Sequence, residues 1–315
     1  MSLELNEIPF VEELDYYNDK IEQIKNAQVD SFYNMVRYTK YCEMNRTTER
    51  YREVKFTSES YEFSSYWVDG VNCEQLKHKD AEPSKLCVLL IKGGAFVMNM
   101  SDIALRFLCK CMSACDASIG IAPNFGTNID TTVDGMWKNV VKVMEVISKE
   151  YDIMVFSDSA GASTATLAIS HLSPDALSKV KGTVYLCPWV DVGCSSPSYI
   201  ENTSDCYMSE ANVVEHTVRV FNEISTSMKE CCVDLVHPIY KNFPPTLIQA
   251  SGLDPCMDDA YRLSLVLHAS GASVRLDTFQ QMYHCFQMWD HMPNTVKIAW
   301  DNIHEFSKEC CAGGK

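Results

Sequence analysis

The chain has 315 residues, 46% of them hydrophobic, and carries a formal net charge of -15 from 27 basic and 42 acidic residues. A chain of this size can bury a large core, whereas its negative charge argues against nucleic acid or anionic lipid as a partner. No apolar run reaches membrane-spanning length. The N-terminal stretch MSLELNEIPFVEELD lacks the basic-then-apolar order of a signal peptide. We therefore expect a cytoplasmic protein whose 15 cysteines are reduced thiols.

The first part of the chain contains helical, hairpin and buried-strand patterns. Residues 1–55 are polar and helix-like, because apolar residues recur every three or four positions in IEQIKNAQVDSFYNMVRYTKYC. The stretch YEFSSYWVDGVNCEQLKH predicts a β-hairpin that turns at Asp69-Gly70. The continuous apolar run in KLCVLLIKGGAF is typical of a buried central strand. Ser101 is placed to cap the next helix, whose cysteines we interpret as small core residues.

Strands and helices then alternate to the end of the chain. Strands are predicted in ASIGIAPNF, DIMVFS, GTVYLCPW, TLIQAS and SVRLDTF. Helices are predicted in VDGMWKNVVKVMEVISKEY, from about Ala160, in DDAYRLSLVLHASG and within residues 287–308. Such regular alternation predicts an α/β fold with a mostly parallel sheet covered by helices on both faces.

One long interval between two strands suggests how the chain divides into domains. Residues 192–242 exceed an ordinary connection and contain the helical pattern SEANVVEHTVRVFNEI, so we interpret them as an inserted cap segment. Residues 1–55 would form an N-terminal helical cap segment. Residues 56–191 and 243–315 would then form the α/β core.

The stretch MVFSDSAGAS places Ser159 at the carboxyl end of a predicted strand, where open parallel sheets bind ligands. A sharp strand-to-helix turn exposes a serine hydroxyl if the residues two before and two after it are small. These residues are Ser157 and Gly161, so the usual G-x-S-x-G pattern has lost its first glycine. We predict that Ser159 is a nucleophile, and a plain helix-capping serine is the alternative. Ser157 and Ser163 would then be spacing and helix-start residues.

A serine nucleophile needs donors for the oxyanion that develops during acyl transfer. Gly93 and Gly94 follow the predicted central strand, where consecutive glycines let backbone N–H groups turn toward a ligand. With the N–H of Ala160, they are the predicted oxyanion hole. A simple glycine turn is the alternative interpretation of this pair.

The base and its orienting acid are expected after the serine in the order acid, then histidine. Asp254 follows the strand TLIQAS, and His284 follows the last predicted strand. Asp258 and Asp259 fit better as acids of the next helix's first turn, where the helix dipole favours them. His291 is the nearby rival for the base.

Together these motifs resemble the hormone-sensitive-lipase-type serine esterases of the α/β-hydrolase superfamily, over about residues 60–305. The family's His-Gly-Gly-Gly-aromatic stretch is similar to KGGAF here, and its Gly-Asp-Ser-Ala-Gly-Gly elbow is similar to SDSAGA. Its Pro-Trp-x-Asp, Gly-x-Asp-Pro and His-Gly-Phe stretches are similar to PWVD, GLDP and HCF.

Several positions depart from the family pattern, and three of them bear on the predicted site. Lys92 stands in place of a histidine that helps to hold the oxyanion loop, and Ser157 and Cys285 stand in place of glycines. The ammonium of Lys92 could support that loop through backbone carbonyls, or it could point away and leave the loop mobile. None of these departures removes a member of the catalytic triad that the resemblance implies.

The resemblance implies a carboxylic ester hydrolase acting on short- to medium-chain esters. Ser159 would form the acyl-enzyme, His284 would transfer the proton, and Asp254 would orient the imidazole, with no cofactor and no metal. The partner would be a small-molecule ester rather than nucleic acid or a membrane. A non-catalytic small-molecule receptor on the same fold is the alternative from another class, and an amidase or peptidase using the same triad stays open.

Overall fold

The computed structural model describes residues 2–12, 54–96, 98–127, 131–202 and 240–312. Within these ranges the strands are β1 Leu3–Ile8, β2 Tyr61–Val68, β3 Val71–His78, β4 Leu86–Ile91, β5 Ile119–Pro123, β6 Asp152–Asp158, β7 Val180–Leu186, β8 Thr246–Ser251 and β9 Val274–Phe279. They form one sheet in the order β1-β9-β8-β7-β6-β4-β5-β3-β2. In this order, every pair of neighbouring strands from β1 across to β5 is parallel. The last two strands, β3 and β2, are added antiparallel. The predicted mostly parallel α/β architecture is confirmed.

Helices cover both faces of this sheet. They are α1 Asp102–Ala114, α2 Val133–Ile147, α3 Gly161–Ser170, α4 Pro174–Leu177, α5 Ser198–Glu201, α6 Met257–Ala269 and α7 Pro293–Ala312. Apolar side chains of α2, α3 and α6 form the core on one face, and those of α1 and α7 form the core on the other. In the described part of the chain, no helix combines the length and the apolar character needed to cross a bilayer.

The central strands are apolar because both of their faces are covered. Every residue of β8 is buried, and only the first residues of β4 and β6 are partly exposed. Continuous apolar runs are expected for parallel strands between two helical layers, and such runs in the sequence predicted these strands. Ser101 caps α1 as predicted, because its side chain accepts the N–H of Ala104. The last helix was predicted within residues 287–308; it begins inside that range, at Pro293, and extends beyond it to Ala312, and Phe286–Met288 form a separate 3₁₀ turn before it.

The N-terminus corrects the predicted domain division. Residues Leu3–Ile8 form a strand that pairs in parallel with β9, and the Asn6 amide donates to Asp277 Oδ1 over 2.9 Å. The assignment of residues 1–55 to a helical cap is therefore wrong for this strand, which belongs to the core sheet. The helical pattern came from residues 21–42, which lie outside the described residues. The strand lies at the edge of the sheet and its burial alternates only in part, so its local pattern is weak.

Glu12 fastens the same N-terminal segment to the last helix. Its Oε1 accepts the backbone N–H groups of Asn294 and Thr295 over 2.8 and 3.0 Å, and its Oε2 accepts the Asn294 amide over 3.0 Å. A carboxylate at this position satisfies N–H groups that have no partner within the first turn of α7. The N-terminal segment thus holds both β9 and α7.

Most of the two predicted cap segments, residues 13–53 and 203–239, lies outside the described residues, so the cap stays a prediction. The first residues of the predicted insertion are described and include α5. The Ser198 hydroxyl donates to the carbonyl of Pro255 over 2.6 Å, and the Asn202 amide donates to the carbonyl of Asp254 over 2.9 Å. The start of the insertion is therefore bound to the loop after β8.

Candidate active site

Ser159 lies at the junction of β6 and α3 in a conformation that is uncommon for a residue with a side chain. Its φ is 49°, in the left-handed region. Its N–H donates to the carbonyl of Leu186 over 3.0 Å, and its own carbonyl accepts the N–H groups of Ala162 and Trp189, each over 3.0 Å. These three hydrogen bonds hold the strained backbone in place. The sharp strand-to-helix turn predicted from the sequence is present.

The two serines near Ser159, Ser157 and Ser163, differ in position and in hydrogen bonding. The Ser163 hydroxyl is buried and donates to the carbonyl of Trp189 over 2.7 Å. Ser157 lies within β6, opposite Ile91 on one side and Tyr185 on the other, and its hydroxyl is buried without a hydrogen bond to any described residue. Neither serine stands at the turn, so their prediction as helix-start and spacing residues agrees with this geometry.

The loop after β4 lies directly against the elbow. A Cβ atom added at Gly161 would collide with the carbonyl oxygen of Ile91. A Cβ atom added at Gly93 would lie 2.6 Å from the carbonyl oxygen of Asp158 and 3.0 Å from the Cβ of Ser159. Both contacts are too short for a real side chain, so glycine is required at these positions by close approach. The two glycines let the predicted oxyanion loop reach the predicted nucleophile.

Asp254 and His284 form a buried pair beyond the ends of β8 and β9. His284 Nδ1 and Asp254 Oδ2 are 2.7 Å apart, and the side chains are 3% and 1% exposed. The other carboxylate oxygen of Asp254 accepts the N–H of Cys256 over 2.9 Å. The Ser251 hydroxyl donates to the carbonyl of Tyr283 over 2.9 Å, which ties the end of β8 to the loop that carries the histidine. The structure brings together the acid and the base that the sequence predicted.

One carbonyl links this pair to the elbow. The carbonyl of Leu186, at the end of β7, accepts the N–H of Ser159 over 3.0 Å and lies 3.9 Å from the Sγ of Cys285. Cys285 directly follows His284, and its φ of 53° turns the chain sharply at that point. The loop of the histidine and the serine elbow therefore meet at the same strand end.

The pKa of His284 is raised to about 9 by its carboxylate neighbours. Burial by itself disfavours the charged imidazolium, but the negative charge of Asp254 and its hydrogen bond outweigh burial, and Asp158 acts in the same direction. The imidazole is thus held mainly in its protonated form at neutral pH. Its neutral form, which can accept a proton, becomes more populated in alkaline solution.

The structure corrects one part of the predicted oxyanion hole. The N–H of Gly93 donates to Oδ1 of Asp158 over 2.9 Å, so it is directed at a carboxylate rather than at the substrate side of Ser159. The sequence could not show this, because the acceptor comes from a different strand. Gly94, with a φ of 106°, and Ala160, the residue after Ser159, are the remaining candidate donors. Gly93 allows the loop to approach the elbow closely because it has no side chain, and its N–H fixes the loop to Asp158.

The sequence left open whether Lys92 supports the oxyanion loop or points away from it, and the structure shows which of the two applies. Its Nζ donates to the carbonyl of Gly93 over 3.1 Å and to the carbonyl of Met98, and it lies 5.6 Å from the ring centre of Phe125. Burial lowers the pKa of this ammonium to about 8, against the opposing effect of the Asp158 carboxylate. The lysine thus supports the loop after β4 through backbone carbonyls, in place of the family's histidine.

The rival acids and the rival base have other positions. Asp259 is buried in the first turn of α6, and one of its oxygens accepts the N–H groups of Val190 and Asp191 over 2.8 and 2.6 Å. Asp258 accepts the N–H of Ser198 over 2.9 Å. Both are first-turn helix acids, as predicted. His291 is exposed, whereas His284 is buried beside Asp254.

Sequence reasoning missed the contribution of Asp158. Its carboxylate is buried, binds the N–H of Gly93, and interacts electrostatically with both Lys92 and His284. Burial raises the pKa of Asp158, while the Gly93 N–H and the two positive neighbours oppose that rise. The signal in the sequence was a charged residue shortly after the apolar run IMVF, and such a residue requires a partner when it is buried.

Comparisons with known proteins agree with this arrangement. A family model described as alpha/beta hydrolase fold matches residues 88–288. An esterase from Acinetobacter venetianus is 23% identical over 248 residues, covering 76% of this chain and 79% of that protein. A hormone-sensitive lipase from a metagenome library has a TM-score of 0.73 at 18% identity, covering 93% of this chain and 98% of that one. EstE5, soaked with p-nitrophenyl butyrate, has a TM-score of 0.74 at 14% identity, covering 93% and 99%.

The comparisons support two separate conclusions, one about the fold and one about the family. The solved structures share too little sequence identity to establish more than the fold, whereas the family model spans more than half of the chain, including the elbow and the residues around His284. The expected resemblance to hormone-sensitive-lipase-type esterases is confirmed, and the chain belongs to the alpha/beta hydrolase fold family.

Proposed function

We propose that this protein is a serine carboxylesterase that hydrolyses short- to medium-chain carboxylic esters through an acyl-enzyme on Ser159. The observation that carries the proposal is the buried Asp254–His284 pair, which meets the Ser159 elbow at the end of β7. A serine hydroxyl is a weak nucleophile unless an oriented base accepts its proton. These three residues supply the nucleophile, the base and the orienting acid.

The reaction proceeds in two halves. Ser159 Oγ attacks the acyl carbon while the neutral imidazole of His284 takes the hydroxyl proton, and the N–H groups of Gly94 and Ala160 bind the developing oxyanion. The imidazolium then donates this proton to the leaving alcohol. Water attacks the acyl-enzyme with His284 again acting as base, which releases the acid and restores Ser159. Asp254 holds the imidazole in the required tautomer and stabilises its cation.

None of these steps calls for a cofactor or a metal, and the partner is a small-molecule ester rather than nucleic acid or a membrane. The net charge of -15 supports this choice, because it repels polyanions. We place the reaction in the cytoplasm, where a reducing environment keeps thiols free. The free cysteines among the described residues are consistent with that compartment.

A short- to medium-chain preference is supported by two observations. A solved relative, EstE5, was soaked with p-nitrophenyl butyrate, a short-chain ester. The net charge of -15 also disfavours work at an anionic lipid interface. The test is a series of p-nitrophenyl esters of increasing acyl length, compared with emulsified triglyceride. We expect the highest kcat/KM on short or medium chains, and preferential hydrolysis of the emulsion would contradict the proposal.

A non-catalytic receptor is the alternative from another class, and the retained Asp254–His284 pair argues against it, because binding alone does not need an oriented base. Covalent labelling with a fluorophosphonate separates the two functions. We expect labelling of the folded wild-type protein at Ser159 and none in the Ser159→Ala variant. Folded wild-type protein that is not labelled and does not hydrolyse esters would favour the receptor. Comparing esters with matched amides would show whether the triad also cleaves amides.

A further inference from the structure

Two buried thiols lie beside His284 and have no part in the proposed hydrolysis. Cys187 directly follows β7 and is 1% exposed, and Cys285 directly follows His284 and is 5% exposed. The two Sγ atoms and a ring nitrogen of His284 all lie within 4.8 Å of one another. The three side chains come from two separate loops, so the fold itself brings them together.

The backbone holds both cysteines in unusual conformations. Their φ angles are 47° and 53°, in the left-handed region that residues with a side chain seldom adopt. The N–H of Cys187 donates to the carbonyl of Gln249 over 2.8 Å, and its Sγ lies 3.1 Å from the Ser251 hydroxyl. The Sγ of Cys285 lies 3.9 Å from the carbonyl of Leu186. Both thiols are therefore held in place by contacts with the ends of neighbouring strands.

We propose that Cys187, His284 and Cys285 form a binding site for one soft divalent cation such as Zn²⁺, and that binding of the ion switches off the esterase. Two thiolates and one imidazole are ligands that zinc prefers, in a tetrahedral arrangement with a fourth position for water. Zinc–ligand bonds of about 2.0 to 2.3 Å place the ligand atoms roughly 3.3 to 3.8 Å apart. The 4.8 Å within which the three ligand atoms lie is about 1 Å above those separations.

Binding balances in charge and protons. At neutral pH each thiol and the imidazolium of His284 lose a proton to solvent as the cation binds, so three protons are released and two thiolates offset the charge of Zn²⁺. His284 becomes neutral when it loses this proton and then donates a nitrogen lone pair. Because Nδ1 faces Asp254 at 2.7 Å, Nε2 is the nitrogen that binds the ion. A carboxylate–histidine–metal arrangement of this kind is common around zinc, where the carboxylate fixes the imidazole.

Inhibition follows from the use of the same nitrogen in both states. An imidazole whose Nε2 binds an ion cannot accept the proton of Ser159, so the nucleophile is not activated. This consequence rests on the proposed esterase function, whereas binding of the ion does not. Without the ion, His284 oriented by Asp254 is the base. With the ion bound, His284 is a metal ligand instead.

A second grouping, Asp254, Cys256 and His284, also has ligand atoms within 4.8 Å of one another. It is the weaker candidate, because it offers one thiol. In addition, the Asp254 oxygens already bind His284 Nδ1 over 2.7 Å and the N–H of Cys256 over 2.9 Å. An ion there would have to displace those contacts. Cys256 therefore serves as the matched control in the experiment.

The binding experiment uses Co²⁺ as a spectroscopic substitute for Zn²⁺, added to the full chain kept reduced by a non-thiol reductant. We expect one equivalent to give a thiolate-to-cobalt charge-transfer band, and Zn²⁺ to displace it. Cys187→Gly and Cys285→Gly should each weaken binding at least tenfold. Glycine suits both left-handed positions, so these variants are expected to fold, and circular dichroism checks this. Cys256→Ala should bind like the wild type, and so should Cys311→Ser, which removes an exposed thiol.

The activity experiment measures p-nitrophenyl ester hydrolysis with and without Zn²⁺, each variant being compared with its own metal-free rate. We expect loss of wild-type activity that EDTA restores, and resistance in Cys187→Gly and Cys285→Gly. Binding that survives both glycine variants, or that is lost in Cys256→Ala, overturns the site. Cobalt binding in a protein that hydrolyses no ester would instead overturn the proposed function and leave the site standing.

Discussion

The backbone N–H of Gly93 donates to Oδ1 of Asp158 over 2.9 Å, which fixes the loop after β4 to the strand that leads into Ser159. The glycine can approach because a Cβ there would lie 2.6 Å from the Asp158 carbonyl. The position of the candidate oxyanion donor Gly94 therefore depends on a carboxylate that has no role in the proposed proton transfer. Asp158 is a positioning residue of the candidate site.

Removal of this carboxylate should lower kcat more than it raises KM. In Asp158→Ala the loop loses its anchor, and a displaced oxyanion donor costs about 10² to 10³ in kcat. Asp158→Asn retains an oxygen that can accept the Gly93 N–H, so it should recover most of that loss. Steady-state kinetics on a p-nitrophenyl ester would separate the two parameters. Equal kcat values for the alanine variant and the wild type would show that the loop does not need this bond.

Ser159→Ala should abolish ester hydrolysis and leave the fold intact, because one hydroxyl is removed from a turn that its backbone hydrogen bonds maintain. Ser163→Ala is the matched control, since it lies four residues along and removes a buried hydroxyl that donates to Trp189 over 2.7 Å. The control should lose about 1 kcal/mol of stability and keep its turnover. Thermal unfolding and initial rates measure both effects. A dead Ser163→Ala variant beside an active Ser159→Ala variant would refute the assignment.

The pH profile should show a late alkaline rise. The pKa of His284 is raised to about 9, so the imidazole is protonated below that pH and cannot act as a base. We therefore expect kcat/KM to increase with pH up to about 9 and then to level off. The rise should persist in Lys92→Met, which excludes the nearby ammonium as its source. A plateau that begins near pH 6 would mean that His284 is not held in its charged form.

Asp254→Asn tests the cause of that raised pKa. Without the carboxylate, the rise should move to lower pH, and the wrong tautomer should cost on the order of 10⁴ in kcat. Asp258→Asn is the control, because that carboxylate accepts the N–H of Ser198 and does not contact His284. Its pH profile should match that of the wild type. The acid has been misassigned if Asp258→Asn is the more damaging of the two substitutions.

Lys92→Met should lower kcat by about tenfold or more with little change in KM. Methionine retains the apolar stem of the side chain but removes the donors that bind the carbonyls of Gly93 and Met98. Lys92→His should fall between methionine and the wild type, because the shorter imidazole can reach one carbonyl. Rates for the three proteins under saturating ester provide the comparison. A Lys92→Met variant with full kcat would show that the loop is held without the ammonium.

The sequence was most informative where one local pattern had one structural meaning. The apolar run of β4 and the alternating strands and helices predicted the sheet, and chain order predicted the pairing of Asp254 with His284. Each of these features depends on neighbours in sequence or on a fixed order of motifs. The Ser159 elbow was likewise visible from the small residues around it.

Features that depend on distant partners were not predictable. The strand Leu3–Ile8 is defined by β9, and the direction of the Gly93 N–H is defined by Asp158. The approach of Cys187 and Cys285 to His284 depends on where two loops end. In each case the deciding contact joins segments that are far apart in sequence, so no local spacing carries the information.

The N-terminal strand has a practical consequence for handling the protein. Because β1 covers the outer edge of β9 and Glu12 binds the start of α7, proteolytic clipping after residue 12 would expose an edge strand and loosen the helix that follows His284. Clipped protein would then self-associate and lose activity although Ser159, Asp254 and His284 are all intact. An expression tag is accordingly better placed after α7 than before β1.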